Sequence, residues 1–145
     1  MSKQKFFTEK QQEEIIKSIE NAELNTSGEI RLHLEDTCKS DPVKRAIEVF
    51  EKLGMHETKL RNGVLFYLSI KDKKIAVIGD KGINDIVQTN FWDDIKNEII
   101  NHFKNNQFTD GLCKGIEKAG EKLKIHFPFD SNDTNELSND ISFGD

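Results

Sequence analysis

Residues 61–83, RNGVLFYLSIKDKKIAVIGDKGI, decide the fold of this chain because they hold two apolar segments separated by a short polar turn. Each segment is rich in β-branched and aromatic residues, which is typical of buried strands. The turn at residues 71–74 predicts that the two strands form an antiparallel hairpin. The start of the first strand and the end of the second then share one rim of a sheet, which holds Asn62, Gly63, Asp80 and Gly82.

The segment before the hairpin predicts a further strand and a connecting helix. Residues 29–35, EIRLHLE, alternate polar and apolar side chains with the period of a half-buried strand. Asp41 and Pro42 are typical of a helix N-terminus, and Gly54 is typical of a helix end. A strand, a helix and a second strand in this order predict a parallel pair of strands joined by a right-handed crossover.

Helices are predicted on either side of this unit. Thr8 and Gln11 form a capping box that opens a helix reaching about residue 22. Two more amphipathic helices follow the hairpin, with candidate caps Thr89 or Asn90 and Thr109 or Asp110. These elements predict an α/β fold, a three-layer α/β/α sandwich with a small mixed β-sheet, in a single domain over residues 1–127.

The remaining residues, 128–145, form an acidic segment for which we predict a mobile tail. It holds five acidic residues and neither Lys nor Arg, so it carries the whole net charge of −5, and residues 1–127 are neutral. A neutral domain lacks the basic surface that binds nucleic acid. No segment approaches the roughly 20 consecutive apolar residues of a membrane span.

The N-terminal residues lack the apolar run of a signal peptide. Cys38 and Cys113 have no CxxC partner, which argues against a zinc ribbon. Without a secretion signal, free thiols in a reducing compartment are favoured over a disulfide. We therefore expect a cytoplasmic protein.

Several carboxylates are predicted to converge on the rim that holds Asp80. Asp80 follows a β-branched strand, and Glu29 opens a strand parallel to the first hairpin strand, so both fall at this rim. Asp93, Asp94 and Asp110 join them if the last two helices start there. Calcium takes six to eight oxygen ligands, so three or four carboxylates with amide or backbone oxygens suit it. We predict a metal site formed by Asp80, Glu29, Asp93, Asp94 and Asp110.

Other interpretations of the same residues stay open. Each of these carboxylates also has an ordinary structural role, as a turn residue, a helix cap or a partner of a helix dipole. Arg61 and Asn62 are candidates to hold a phosphate, because a guanidinium group forms paired hydrogen bonds with phosphate oxygens. Ligands of α/β sheets usually bind beyond the carboxyl ends of parallel strands, which favours the opposite rim, with Glu35, Asp36 and Asp72.

Four segments together resemble the TPM-domain family. They are TSGEIR (26–31), RNGVL (61–65), IGDKGI (78–83) and FTDGL (108–112), and the resemblance spans residues 8–127. The family includes thylakoid-lumen proteins, photosystem-repair proteins and bacterial proteins of unknown role. The resemblance implies an α/β/α sandwich, a divalent-metal site, often for calcium, and the acid phosphatase activity proposed for plant members. It implies site roles for Asn62, Gly63, Asp80, Gly82 and Asp110.

The chain also departs from the family. It shows no leader and no membrane anchor after the domain, which disfavours export and membrane roles, and its GDKG segment (79–82) replaces a tighter glycine pair, which leaves phosphatase activity open. We expect a calcium-binding TPM-domain protein. The alternatives are a metal-assisted acid phosphatase, with Arg61 and Asn62 binding the substrate, and an interaction module that docks a protein partner through the acidic tail.

Overall fold

The computed structural model describes residues 6–130 and 136–144. Within these ranges the chain forms five α-helices, four strands and one 3-10 turn. In chain order they are α1 (Glu9–Glu23), β1 (Glu29–Glu35), α2 (Pro42–Lys52), the 3-10 turn (Met55–Glu57), β2 (Gly63–Ser69), β3 (Lys74–Gly79), α3 (Lys81–Asn84), α4 (Asp93–Lys104), α5 (Phe108–Lys124) and β4 (Ser142–Phe143).

The four strands form one mixed sheet in the order β3-β2-β1-β4. Strand β2 is parallel to β1 and antiparallel to β3, so the predicted crossover and hairpin are both confirmed. Glu29 is in register with Gly63, and Val64 is in register with Gly79. The start of β1, the start of β2 and the end of β3 therefore lie at one rim, which we call the Asp80 rim.

Helices cover both faces of the sheet, which confirms the predicted α/β/α sandwich. On one face, α1, α4 and α5 pack on the sheet through a core that includes Ile19, Ile99 and Ile116. On the other face, Val49 and Phe50 of α2 pack with residues of β2 and β3. Helix α2 thus covers β2 and β3, and it leaves the same face of β1 to another part of the chain.

The helix ends follow local sequence where a capping side chain is present. The capping box of Thr8 opens α1, and the Asp41 side chain accepts a hydrogen bond from the backbone N–H of Lys44 at the start of α2. Gly54 ends this helix with a φ of 69°, a conformation that favours glycine.

The predicted starts of α4 and α5 are wrong. Helix α4 begins at Asp93 after Trp92, and α5 begins at Phe108 after Gln107, in both cases without a side-chain cap. The Trp92 ring packs directly against Gly79 at the end of β3, so a tertiary contact determines where α4 begins.

The C-terminal segment is packed on the domain over its described part, 136–144, whereas its composition predicts a mobile tail. Ile141 is buried, and Ser142–Phe143 form β4, which pairs in parallel with β1. The backbone N–H of Gly144 donates to Leu34 O over 2.8 Å. Residues 131–135 and 145 of the predicted tail lie outside the described residues. None of the helices in the described ranges has the length and apolar character needed to span a bilayer.

Candidate functional site

Asp80 lies at the predicted rim, but an ion pair within the protein engages its carboxylate. Its side chain is buried, and the guanidinium of Arg61 donates from Nε to Oδ2 over 2.8 Å and from Nη2 to Oδ1 over 2.9 Å. Oδ1 also accepts the backbone N–H of Lys81 over 2.7 Å, which caps the short helix α3. Both oxygens therefore have strong donors, and a metal ion at Asp80 would have to displace Arg61.

The glycines of the rim permit a close approach of the chain to itself. A Cβ atom on Gly82 would overlap Leu60 O and would lie 2.6 Å from Arg61 O. The N–H of Gly82 donates to Arg61 O over 2.9 Å, and Arg61 itself has a positive φ of 51°. The backbone before β2 thus occupies the space that the sequence interpretation assigns to a ligand.

Glu29 and Asn62 are also engaged at this rim. Both residues are buried, and Glu29 Oε1 accepts the backbone N–H groups of Glu136 and Leu137 over 2.6 and 2.7 Å. Asn62 Nδ2 is 3.5 Å from Ser27 Oγ. Glu29 therefore holds the C-terminal segment in place, and Asn62 faces the protein interior.

Asp93 and Asp94 open α4 beside the Asp80 rim. They line a cavity of about 520 Å³, which we call the α4 cavity. The side chain of Asp94 is 70% exposed, and its Oδ2 lies 3.8 Å from Lys122 Nζ. Lys122 also donates to Phe91 O and lies over the Phe91 ring. The cavity lining consists of Ile86, Val87, Gln88, Asn90, Phe91, Asp93, Asp94, Lys122 and His126.

The structure does not bring Asp110 to this group. Helix α5 runs back along α4, so Asp94 lies near Lys122 at one end while Gly111 packs on His102 at the other. The 12 residues from Asp110 to Lys122 correspond to roughly 18 Å of helix. Across residues 6–130 and 136–144, no three His, Cys, Asp or Glu side chains are grouped closely enough to hold a metal ion.

A polar cluster lies at the opposite rim, around Glu35, which the sequence places there without indicating its partners. The carboxylate is buried, and it accepts hydrogen bonds from Arg45 Nη2 over 2.5 Å and Tyr67 Oη over 2.6 Å. His33 Nε2 lies 3.2 Å from Glu35 Oε1, and His33 Nδ1 lies 2.7 Å from Ser142 Oγ. Side chains from β1, α2 and β2 thus surround one carboxylate, and β4 joins them through His33.

The environment sets the charge of each group in the Glu35 cluster. Burial acts to raise the pKa of Glu35, but the hydrogen bonds from Arg45, Tyr67 and His33 outweigh it and lower this pKa to about 2. Burial lowers the pKa of His33, and burial together with the bond to Glu35 raises the pKa of Tyr67. At neutral pH, Glu35 is ionised while Tyr67 stays protonated. The cluster is a satisfied network with no group poised to accept a proton.

The polar positions of β1 give a partial sequence signal for this cluster, although their alternation with apolar residues favours a face exposed to water. In EIRLHLE (29–35), the polar positions all carry charged or titratable side chains, a pattern that predicts a solvated face. His33 and Glu35 are instead 5% and 2% exposed. A face with this composition needs charge partners if it is covered, and Arg45 supplies one from the following helix.

Comparisons with known proteins agree with this fold. A family model of the TPM domain matches residues 1–122. A search of curated proteins finds no match. Among solved structures, the chain is similar to the BA42 protein from the psychrophilic bacterium Bizionia argentinensis, with 49% identity, a TM-score of 0.90 and 96% of each chain covered.

Two more distant structures share the fold alone. The N-terminal domain of a protein from P. gingivalis has 16% identity and a TM-score of 0.68, over 83% of this chain and 78% of that one. The N-terminal domain of the cg2496 protein from Corynebacterium glutamicum has 9% identity and a TM-score of 0.64, over 94% and 80%. Because the family model covers most of the chain, the chain belongs to the TPM-domain family.

Proposed function

We propose that this TPM domain binds a divalent cation, calcium, in the α4 cavity. The observation that supports the proposal is that Asp93 and Asp94 line one cavity together with Gln88 and Asn90, two residues with amide side chains. Carboxylate and amide oxygens are the ligands that calcium prefers. The expected ligand set differs from the one inferred from sequence, because Asp80 and Glu29 already hold internal partners.

The same geometry predicts weak binding. Two carboxylates supply at most four of the six to eight oxygens that calcium takes, so amides and water supply the rest. Lys122 lies 3.8 Å from Asp94 and competes with the cation for it. The positive end of the α4 dipole also opposes a cation. We expect a dissociation constant of roughly 0.1–1 mM, the range of weak calcium modules.

A calcium titration followed by backbone amide shifts tests the proposal. We expect saturable shifts at residues 88–94 and at Lys122. Asp94→Asn should weaken binding about fivefold or more, because it removes a unit charge from the ion's neighbourhood, and Lys122→Gln should strengthen binding. Asp110→Asn is the matched control, since Asp110 also lies in the first turn of a helix, α5, but at the end of that helix that is remote from the α4 cavity.

Two results would refute calcium binding in this cavity. One is the absence of shifts at 10 mM calcium. The other is an equal loss of affinity in Asp94→Asn and Asp110→Asn, which would show that only diffuse negative charge is sensed.

Phosphatase activity has weaker support from the same residues. Arg61 is paired with Asp80, and Asn62 is 2% exposed, so neither is placed to hold a phosphate ester. Turnover of a chromogenic phosphate ester that Asp80→Asn abolishes would revive the alternative. A cytoplasmic location stays a prediction from the sequence.

A further inference from the structure

One face of β1 is polar along its whole length, and helix α2 reaches it near Glu35 through Arg45. Otherwise α2 packs on β2 and β3. The C-terminal segment 136–144, which we call the strap, covers β1 instead. The polar residues on this face of β1 are Glu29, Arg31, His33 and Glu35.

The strap contacts these four side chains in order. Glu29 accepts the N–H groups of residues 136 and 137. Arg31 lies within the electrostatic influence of Asp140, and His33 lies 2.7 Å from Ser142 Oγ. A Cβ atom on Gly144 would lie 2.5 Å from Glu35 Oε1. From Arg31 onward, each step of two residues on β1 matches a step of two residues on the strap, which is the register of a parallel strand.

The strap holds only a short stretch of this edge. Two residues, Ser142 and Phe143, pair with β1, and the N–H of Gly144 adds a bond to Leu34 O. A strand of two residues on a sheet edge opens at low free energy compared with the core. An edge strand with unpaired backbone groups is also the usual template for addition of an extended peptide.

The surface beside the strap carries carboxylates as well as cations, but the cavity that the strap leaves open there is basic. Arg31 Nε is buried and has no hydrogen-bond partner among the described residues. Next to Phe143 and Gly144, a cavity of about 300 Å³ is lined in part by Arg45 and Lys52. The strap itself carries Glu136 and Asp140 and no basic residue. An acidic side chain in the cavity, or an acceptor at Arg31, would add contacts that the strap does not make.

We propose that the outer edge and polar face of β1 form a binding groove for an extended acidic peptide of a partner protein, and that the strap occupies this groove when the partner is absent. The strap shows the binding mode: parallel pairing with β1, N–H donors for Glu29, and a hydroxyl at His33. A partner with an acidic residue near Arg45 and Lys52 gains contacts that let it replace the strap.

A peptide of residues 136–144, fluorescently labelled, tests the groove on the full-length chain. Gly144→Val should unseat the strap, because its side chain would overlap Glu35 and His33. Ser138→Thr is the matched control, since it adds a methyl group at an exposed strap position away from this contact and keeps the hydroxyl that accepts the Asp140 N–H. Wild type and Ser138→Thr should bind the peptide at least about tenfold more weakly than Gly144→Val, because a tethered strap competes at a millimolar effective concentration.

Amide shifts on binding should fall in β1 and at Arg45, and Arg31→Gln in the Gly144→Val background should reduce affinity. A second experiment keeps the test decisive if Gly144→Val does not fold. A protease site placed at the exposed residues 128–130 lets the strap be cut in the folded protein, after which the labelled peptide should exchange with it.

The proposal is overturned if neither the Gly144→Val protein nor the cut protein binds the peptide up to 1 mM. It is also overturned if wild type and Gly144→Val bind equally, or if the shifts lie outside β1. The readout is peptide binding in the absence of calcium, so it is independent of the metal titration.

Discussion

Replacement of the carboxylate at the centre of the Glu35 cluster, Glu35→Gln, should destabilise the domain. The amide keeps one acceptor oxygen but turns an NH2 group toward the donors Arg45 and Tyr67. The Arg45 side chain is 30% exposed, so water solvates part of its charge in the variant, and the loss of the charge-assisted hydrogen bonds to the buried carboxylate should cost about 2–3 kcal/mol. We expect a loss of this size in urea unfolding at pH 7.

The same substitution has a defined pH signature. The pKa of Glu35 is lowered to about 2 in the folded protein, against about 4.3 in the unfolded chain. Its ionisation therefore stabilises the fold above the unfolded value, by about 3 kcal/mol, and this contribution is lost as the pH falls toward 2. The stability difference between wild type and Glu35→Gln should shrink by about 2 kcal/mol between pH 7 and pH 3.

Glu48→Gln is the control for this experiment. Glu48 also faces Arg45, at 3.9 Å, but its side chain is 61% exposed, so its removal should change stability by less than about 0.5 kcal/mol. The reasoning about Glu35 fails if Glu35→Gln costs less than about 1 kcal/mol at pH 7, or if the difference from wild type is independent of pH.

Three further predictions concern backbone approach, the Glu35 cluster and helix capping. Gly82→Ala should cost about 2–3 kcal/mol in urea unfolding, since its Cβ would lie 2.6 Å from the Arg61 backbone oxygen, whereas Gly28→Ala, 3.1 Å from a flexible Leu123 methyl, should cost under about 1 kcal/mol. Tyr67→Phe should raise the pKa of Glu35, because it removes a hydrogen bond to the ionised form, and a carboxyl carbon titration by NMR would contradict this if the pKa is unchanged. Thr8→Ala should lower stability by about 1 kcal/mol, and an unchanged unfolding midpoint would show that the capping box adds nothing to the folded domain.

The parts of the fold that could be predicted from the sequence depend on local signals. The alternation in residues 29–35, the Asp41 cap and the stop at Gly54 act within one or two turns of chain, so they are visible in one short window. Together they require a parallel β1–β2 pair, and the polar turn after β2 requires the hairpin. The order of three strands follows from these neighbours alone.

The placement of Asp110 shows how a short connection could have corrected the predicted metal site. Residues 105–107 leave too little chain for α5 to return to the start of α4, so the two helices are antiparallel and begin at opposite ends. Asp94 and Asp110 then cannot share a rim. By contrast, the start of α4 depends on the Trp92 ring against Gly79, a contact that no local pattern contains.

The strap and its contact with His33 could not be predicted because they join residues that are distant in sequence, whereas Arg45 lies only 10 residues after Glu35. A polar face on a strand indicates water when only the strand is considered. Here the covering segment follows about a hundred residues later, and its three apolar residues, Leu137, Ile141 and Phe143, stand among polar residues that favour the prediction of a mobile tail. Burial of a Glu–Arg pair can either raise or lower the free energy of unfolding. The charged residues of a strand therefore do not tell whether its polar face is covered by protein or by water.

The polar character of β1 determines the register of whatever covers it. Apolar residues of similar volume often stabilise a fold as well as a buried ion pair does, so the Glu35–Arg45 pair is weak evidence for added stability. An apolar face would let a covering strand slip by two residues at little cost. On this face, Glu29 needs N–H donors and His33 needs a hydroxyl partner, so a slip would leave buried polar groups without partners, at about 1–3 kcal/mol each. The polar face of β1 therefore selects one register of the covering strand and a strand with matching polar groups. A peptide-binding groove requires this property.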